Sequence, residues 1–200
     1  MPGDLVTERM VLRPCTEADL RWLTALHGDP AVMRYVDDGR PVPEEVVAAE
    51  TLPRFLREYA NLPAGLGHFA AIRRQDGAPL GWIGLRPPSS IGLENAARFG
   101  LERVTRGALE VGYRLFPAAW SQGYATEGTR ALMRRAFTQF GAEHVVATTM
   151  TVNAASRRVL EKAGLTLAGT LFIEWPEPIE GAERGDVVYA VSRQAWLRSA

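Results

Sequence analysis

The spacing of apolar and polar positions changes repeatedly along the chain, and each change marks an element. Leu5 to Arg13 reads as a first strand, closed by Pro14, which cannot continue a central ladder. Thr16 then caps a helix that has two acids in its first turn and an apolar stripe at Leu20, Leu23 and Leu26, with Gly28-Asp29-Pro30 as its stop. Pro43-Glu44-Glu45 opens a second helix to about Tyr59, kinked near Pro53. His68 to Arg74 and Leu80 to Leu85 are short apolar runs separated by an Asp76-Gly77 hairpin signal. The mixed stretch from Arg86 to Gly107 is expected to be a long loop.

Ala108 to Phe116 alternates as a strand. Leu109, Val111, Tyr113 and Leu115 fall on one face, and Glu110, Gly112, Arg114 and Phe116 on the other. A third helix spans Gln122 to Phe140, its inner face carrying Ala125, Thr129, Leu132, Met133, Ala136 and Phe137. Its outer face carries Glu127, Arg130, Arg134 and Thr138. Val145 to Thr151 is a β-branched strand. Asn153 caps a fourth helix that ends at Gly164, with Val159, Leu160 and Ala163 turned inward. Leu165 to Ile173 and Val187 to Ser192 are final strands around an acidic loop holding Glu174, Glu177, Glu180, Glu183 and Asp186. Three strands in a row lack crossover helices. The class is therefore α/β with a mixed sheet, and not a doubly wound nucleotide fold.

Composition narrows the functional classes. The 200 residues carry 23 basic and 23 acidic side chains, a net charge of zero that argues against a nucleic-acid binder. Apolar residues at 46% and charged residues at 23% are ordinary for a globular chain, and one domain over 1–200 is the default. Cys15 is the one cysteine, so an internal disulfide and a four-cysteine zinc site are excluded. No long apolar run and no leader pattern is visible, which leads to the expectation of a cytoplasmic protein with no membrane partner. Lys162 is the one lysine, so the positive charge is almost all arginine.

Three features can carry chemistry. Trp120-Ser121-Gln122-Gly123-Tyr124-Ala125-Thr126-Glu127 joins a strand to a helix, and free N–H groups at a helix start suit an anion such as a phosphate. The same octapeptide is also an ordinary helix start, and it lacks the dinucleotide and P-loop glycine patterns. Ser156 shares the inner face of Val159, Leu160 and Ala163, so its hydroxyl either bonds back to its own helix or faces a site. Glu110 interrupts an apolar strand beside Gly112. It either faces water on a half-covered sheet or points into a cleft, where burial would raise its pKa and suit it to accept a proton from an amine.

Taken in order and spacing, these segments resemble the GNAT superfamily of acyl-CoA-dependent N-acyltransferases, in particular the branch of ribosomal-protein N-terminal alanine acetyltransferases. The likeness covers nearly the whole chain. It is carried by Thr7-Glu8-Arg9 with Leu12-Arg13, Asp29-Pro30 through Met33-Arg34-Tyr35, and Leu80-Gly81-Trp82-Ile83-Gly84. Glu110-Val111-Gly112-Tyr113 through Glu127, and Asn153 with Ser156, Arg157 and Leu160 to Gly164, carry it further. Where the superfamily has Gln or Arg three residues before the signature glycine, this chain has Trp120, as that branch often does.

The resemblance implies a mixed, mostly antiparallel central sheet of about seven strands flanked by about four helices, with two central strands splayed apart. It implies acetyl-CoA as cosubstrate and no metal. The pyrophosphate would rest on backbone amides of Gln122, Gly123, Tyr124 and Ala125, with Thr126 beside them. Asn153 would meet the pantetheine arm, and the strand through Val111, Gly112 and Tyr113 would polarise the thioester carbonyl. Glu110 is implied as the base, directly or through water, and Ser156 as the acid for the departing thiolate; no covalent enzyme intermediate is expected, so Cys15 need not be a nucleophile and reads as a small residue after the first strand. Arg157 and Arg158 read as solvated residues of an outer helix face, either able to meet the 3′-phosphate, and Arg130 is a poorer candidate. Of these, Arg158 is taken as the cofactor-binding residue.

The histidines His27, His68 and His144 show no metal spacing and read as packing or surface residues. Trp22, Trp82 and Trp196 read as core or helix-face residues. Trp175 stacks on the acceptor or merely packs. The acidic loop, if it borders the acceptor cleft, would favour a cationic acceptor by steering. The acceptor is a primary amine, either a protein or peptide N-terminus or a small molecule. The competing reading is a catalytically weak acyl-CoA-binding or scaffold module. Relatives often pair, so a homodimer is expected.

Overall fold

A computed structural model describes residues 3–173 and 178–199. Its centre is an eight-stranded sheet in the order β1-β2-β3-β4-β5-β6-β8-β7. The strands are β1 (Leu5–Val6), β2 (Met10–Pro14), β3 (Gly67–Arg73), β4 (Pro79–Arg86), β5 (Ala108–Leu115), β6 (His144–Met150), β7 (Thr166–Leu171) and β8 (Asp186–Ser192). Every neighbouring pair is antiparallel except β5 with β6. The expectation of about seven strands is corrected to eight, because the first predicted strand folds into the hairpin β1–β2 around Thr7-Glu8-Arg9.

The helices are α1 (Leu20–His27), α2 (Pro30–Met33), α3 (Glu44–Val46), α4 (Leu52–Asn61), α5 (Ser90–Arg98), α6 (Glu102–Thr105), α7 (Tyr124–Gln139), α8 (Ala154–Ala163) and α9 (Arg193–Ser199). The kink expected near Pro53 is a π-helical turn, Val47–Thr51, between α3 and α4. Proline has no N–H to offer, and the ladder widens just before it. The predicted loop from Arg86 to Gly107 is corrected: it contains α5 and α6. Ser89 caps α5 by accepting from the Gly92 N–H at 3.0 Å. Ala96 and Leu101 then pack on Leu171 and Val188, which gives these short helices their stability.

The two faces of the sheet are covered differently. On one face α7 and α8 place Leu132, Met133, Ala136, Phe137, Leu160 and Ala163 against Leu109, Val111 and Leu115. On the other, α1 and α4 place Leu23, Leu26, Leu52 and Phe55 against Ala70 and Trp82. Beyond them α5 and α6 cover the strands at the other end of the sheet. Trp22 and Trp82 pack in the second of these layers, and Trp196 tilts against Phe137, as expected. No helix among the described residues is long and apolar enough to cross a membrane.

Candidate active site

The one parallel contact of the sheet is short. β5 and β6 are in register at Ala108–His144, Leu109–Val145 and Glu110–Val146, and the ladder stops there. β5 runs on to Leu115 and β6 to Met150, so the two strands part beyond Glu110. The Phe116 N–H bonds to the Leu80 carbonyl of β4 at 2.9 Å. Strand alternation therefore turns the N–H groups of Val111 and Tyr113 the other way, into the gap. This is the splay expected between the two central strands.

On one side of the gap lies the start of α7. Gly123 caps it at φ 85°, a left-handed conformation that a side chain would strain. Glu127 is the first to bond back, its N–H reaching the Gly123 carbonyl at 3.0 Å, so the amides of Tyr124, Ala125 and Thr126 precede the helical ladder. Gln122 lies outside the helix, before its cap, and its side chain donates to the Ala118 carbonyl at 2.5 Å. Ser121, at φ 58°, completes a tight, exposed turn. This cradle fits a pyrophosphate by its free amides and by the bare α-carbon of Gly123.

The reading of Glu127 as an outer-face residue is corrected. Its carboxylate accepts from the Thr7 hydroxyl at 2.6 Å, the Arg9 N–H at 2.8 Å and Arg9 Nε at 2.7 Å. Arg9 also donates to the Gln122 carbonyl at 2.8 Å and lies 4.6 Å over the Tyr124 ring. The β1–β2 turn thus clamps the anion cradle from outside. Nothing local in the sequence links Thr7 and Arg9 to a partner 120 and 118 residues away.

Across the gap stands α8. Asn153 caps it, its side-chain oxygen accepting from the Ser156 N–H at 3.1 Å, which leaves its amide nitrogen able to donate. Ser156 does not bond back to its own helix. Its Oγ lies 2.9 Å from the Tyr113 hydroxyl, and that hydroxyl also donates to the Ser156 carbonyl at 3.1 Å. Burial pushes the Tyr113 phenol up to about 12, only partly offset by Ser156. Arg158 is exposed on this helix. Arg157 is not simply solvated as expected: its Nε donates to the Tyr189 hydroxyl at 3.2 Å and Nη1 to the Thr151 carbonyl at 3.1 Å. Arg130 donates to the Lys162 carbonyl.

Glu110 lies on the opposite face of β5 from Tyr113. It does not simply face water: its side chain is 20% exposed, and its carboxylate meets Arg86 of β4 at 3.0 Å. Burial raises its pKa and the Arg86 charge works the other way, leaving it above the usual carboxylate value. Arg86 escaped the sequence reading, which ended its strand at Leu85. The alternation of β4 is the signal that would have found it, because the register sets Arg86 directly opposite Glu110.

Other candidates fall into place as scaffold. Burial lifts the Cys15 thiol to about 11, which makes it inert. His68 Nδ1 meets Glu58 at 2.6 Å and the ring stacks on Phe55. No group of three or more metal-binding side chains forms among the described residues. Of the acidic loop, Glu174, Trp175 and Glu177 lie outside the described residues. Glu180 and Glu183 line a cavity of about 260 Å³ with Arg34, Tyr35, Val152 and Arg184, at the diverging end of β6.

Comparison with known proteins agrees with this fold. The family model described as an acetyltransferase (GNAT) domain matches residues 9–166. The chain is 36% identical over 195 residues to an Aspergillus fumigatus protein named FsC-acetyl coenzyme A-N(2)-transacetylase, covering 97% of this chain and 78% of that one. Among solved structures it resembles the ribosomal L7/L12 alpha-N-protein acetyltransferase RimL in complex with coenzyme A. That match has a TM-score of 0.73 and 18% identity, over 96% of this chain and 99% of that one. It also resembles a Vibrio cholerae spermidine N-acetyltransferase in complex with CoA and spermine, with a TM-score of 0.70 and 15% identity over 94% and 98%.

Proposed function

The chain belongs to the GNAT acetyltransferase family, and we propose that it acetylates a primary amine with Glu110 as the proton acceptor. As a member it is an acetyl-CoA-dependent N-acetyltransferase. The observation that carries the reading is the placement of Glu110, partly buried, at the last register pair before β5 and β6 separate.

Bound acetyl-CoA supplies the activated acetyl group. The amides of Gln122, Gly123, Tyr124 and Ala125, with Thr126, would hold its pyrophosphate, and the Asn153 amide its pantetheine arm. Arg158 would serve the 3′-phosphate, while Arg157 is engaged with Tyr189. Val111, Gly112 and Tyr113 line the gap, and the Val111 and Tyr113 N–H groups oppose negative charge that develops there. Glu110 takes the proton from the amine. Its raised pKa makes it a better base than an exposed carboxylate. Ser156 and Tyr113 form a hydroxyl pair that holds a proton at Ser156 Oγ for the leaving group.

The acceptor is a protein or peptide N-terminus or a small-molecule amine. The Aspergillus relative, named for acetyl transfer to a nitrogen designated N(2), supports the second. Thiol release measured across peptides and small amines tests the reading. Acetylation of at least one primary amine is the expected result. A rise in melting temperature with acetyl-CoA, but no acetyl transfer to any amine, would make the chain an acyl-CoA-binding module instead.

A further inference from the structure

Among the described residues, the wall of the Glu110 face carries more cation than its acids answer. Three cross-strand pairs of β4 and β5 share this face: Arg86 with Glu110, Gly84 with Gly112, and Trp82 with Arg114. The glycine pair puts no side chain of its own between the two walls: Gly84 is buried under His68, while Gly112 is half-buried, with the Trp82 ring in ordinary contact distance beside it. At the first wall the charges match, at 3.0 Å.

At the second wall they do not. The Arg114 guanidinium lies 5.5 Å over the Trp82 ring, and its Nη1 meets His27 Nδ1 at 3.2 Å and the Met33 sulfur at 3.7 Å. Neither contact brings an anion. The carboxylate that does meet it, Asp37, stands at 3.6 Å, is 72% exposed, and sits on a non-glycine residue at φ 51°. A charge-assisted pair of this kind normally closes to about 2.7–2.9 Å. The Arg114 side chain is only 17% exposed, so its charge is largely stripped of water and only loosely compensated. His27 cannot help by carrying a second charge. Burial, then the charges of Arg114 and Arg54, hold it down to about 3. The acids of the 179–184 turn do not reverse the balance, because Glu180 faces Arg34 at 3.7 Å and Glu183 faces Arg184 at 3.8 Å.

We propose that Arg114 is the anchor for a carboxylate carried by the amine acceptor, and that Asp37 fills that place when no acceptor is bound. The inference rests on the primary-amine reading above. A planar guanidinium already seated on an indole offers a carboxylate two parallel N–H bonds without further ordering. Gly112 and Arg114 are two residues apart on one face, about 7 Å. An amine over Gly112 therefore needs its carboxylate several bonds away. A single α-amino acid is too short, whereas a dipeptide or an ω-amino acid reaches. Polyamines are rejected, because they set cation against cation.

The test compares initial rates, at saturating acetyl-CoA, for glycylglycine against glycylglycinamide and for 5-aminopentanoate against 5-aminopentanamide. The unaltered protein is expected to favour the carboxylate member about tenfold in kcat/KM, the scale of one charge-assisted contact. Arg114→Gln should bring that ratio to about one, and Arg114→Lys should restore part of it. Asp37→Asn, a change at an exposed side chain, should lower KM for the carboxylate member by removing its competitor. Equal rates on acid and amide, an Arg114→Gln variant that keeps the preference, or a higher KM in Asp37→Asn each overturn the proposal. Turnover of amides alone sinks this inference and spares the amine reading, whereas no turnover of any amine sinks both. Should Arg114→Gln fail to fold, the Asp37→Asn pair still decides.

Discussion

The two sides of the splay are built on opposite plans. On the α7 side the cradle is backbone: three amides ahead of a helical ladder, a glycine at φ 85°, and residues contiguous in sequence. On the Glu110 side the surface is side chain, assembled from β4, β5, α1 and the residues after α2. Backbone amides are the same whatever the residue, so the first plan suits a ligand that does not change. Side chains set by strand register can be exchanged one at a time, so the second plan suits a partner that differs between relatives.

Substitutions should separate the two plans. Glu110→Gln is expected to lower kcat by about 10²–10³, in the range of general-base catalysis, while calorimetric acetyl-CoA affinity stays close to the original. A comparable loss of affinity would erase the division. Gly123→Val should do the reverse. A side chain at positive φ costs about 1 kcal/mol, a melting temperature lower by about 2–4 °C, and acetyl-CoA binding about tenfold weaker. Ser156→Ala and Tyr113→Phe should each slow thiol release several-fold. The double variant should be little worse than either single one, because the two hydroxyls act as one pair; full additivity would argue against a shared role.

Two pH effects sharpen the contrast. Activity needs ionised Glu110, so kcat/KM should rise with pH along an acidic limb set above the ordinary carboxylate range by burial. Arg86 opposes that shift, and Arg86→Gln should move the limb to higher pH; an unmoved limb would assign it to another group. The smallest effect lies in the scaffold behind the acceptor face. Burial disfavours the Asp19 carboxylate, but bonds from Arg13, Trp22 and Thr16 outweigh it and lower its pKa to about 2. Stability from this depressed group is complete above the unfolded value near 3.8 and is lost as pH falls toward 2. Asp19→Asn should flatten that part of the stability–pH curve, measured by chemical denaturation.

The same contrast explains what could be read from the chain. The turn from Trp120 to Glu127 and the cap at Asn153 are local, so residue type and spacing reveal them. Glu127 looked solvated because its partners, Thr7 and Arg9, are brought to it by a hairpin at the far edge of the sheet. Alternation places Arg114 on the Glu110 face, but its partners, and Arg86 itself, follow only from the register of β4 and β5 and the packing of α1. The helices α5 and α6 escaped because their few apolar residues acquire meaning only against Leu171 and Val188. The face of α8 marks Ser156 as a hydroxyl in need of a partner, but not which one: the partner is a tyrosine forty-three positions earlier.

The shortness of the β5–β6 ladder has a mechanical side. Three register pairs stitch a five-stranded ribbon to a three-stranded one. Under load such a joint opens like a seam, starting at the end where the strands already diverge. A molecule lodged in that opening and gripping both α7 and α8 behaves as a rivet, spreading the load from three pairs over two helices.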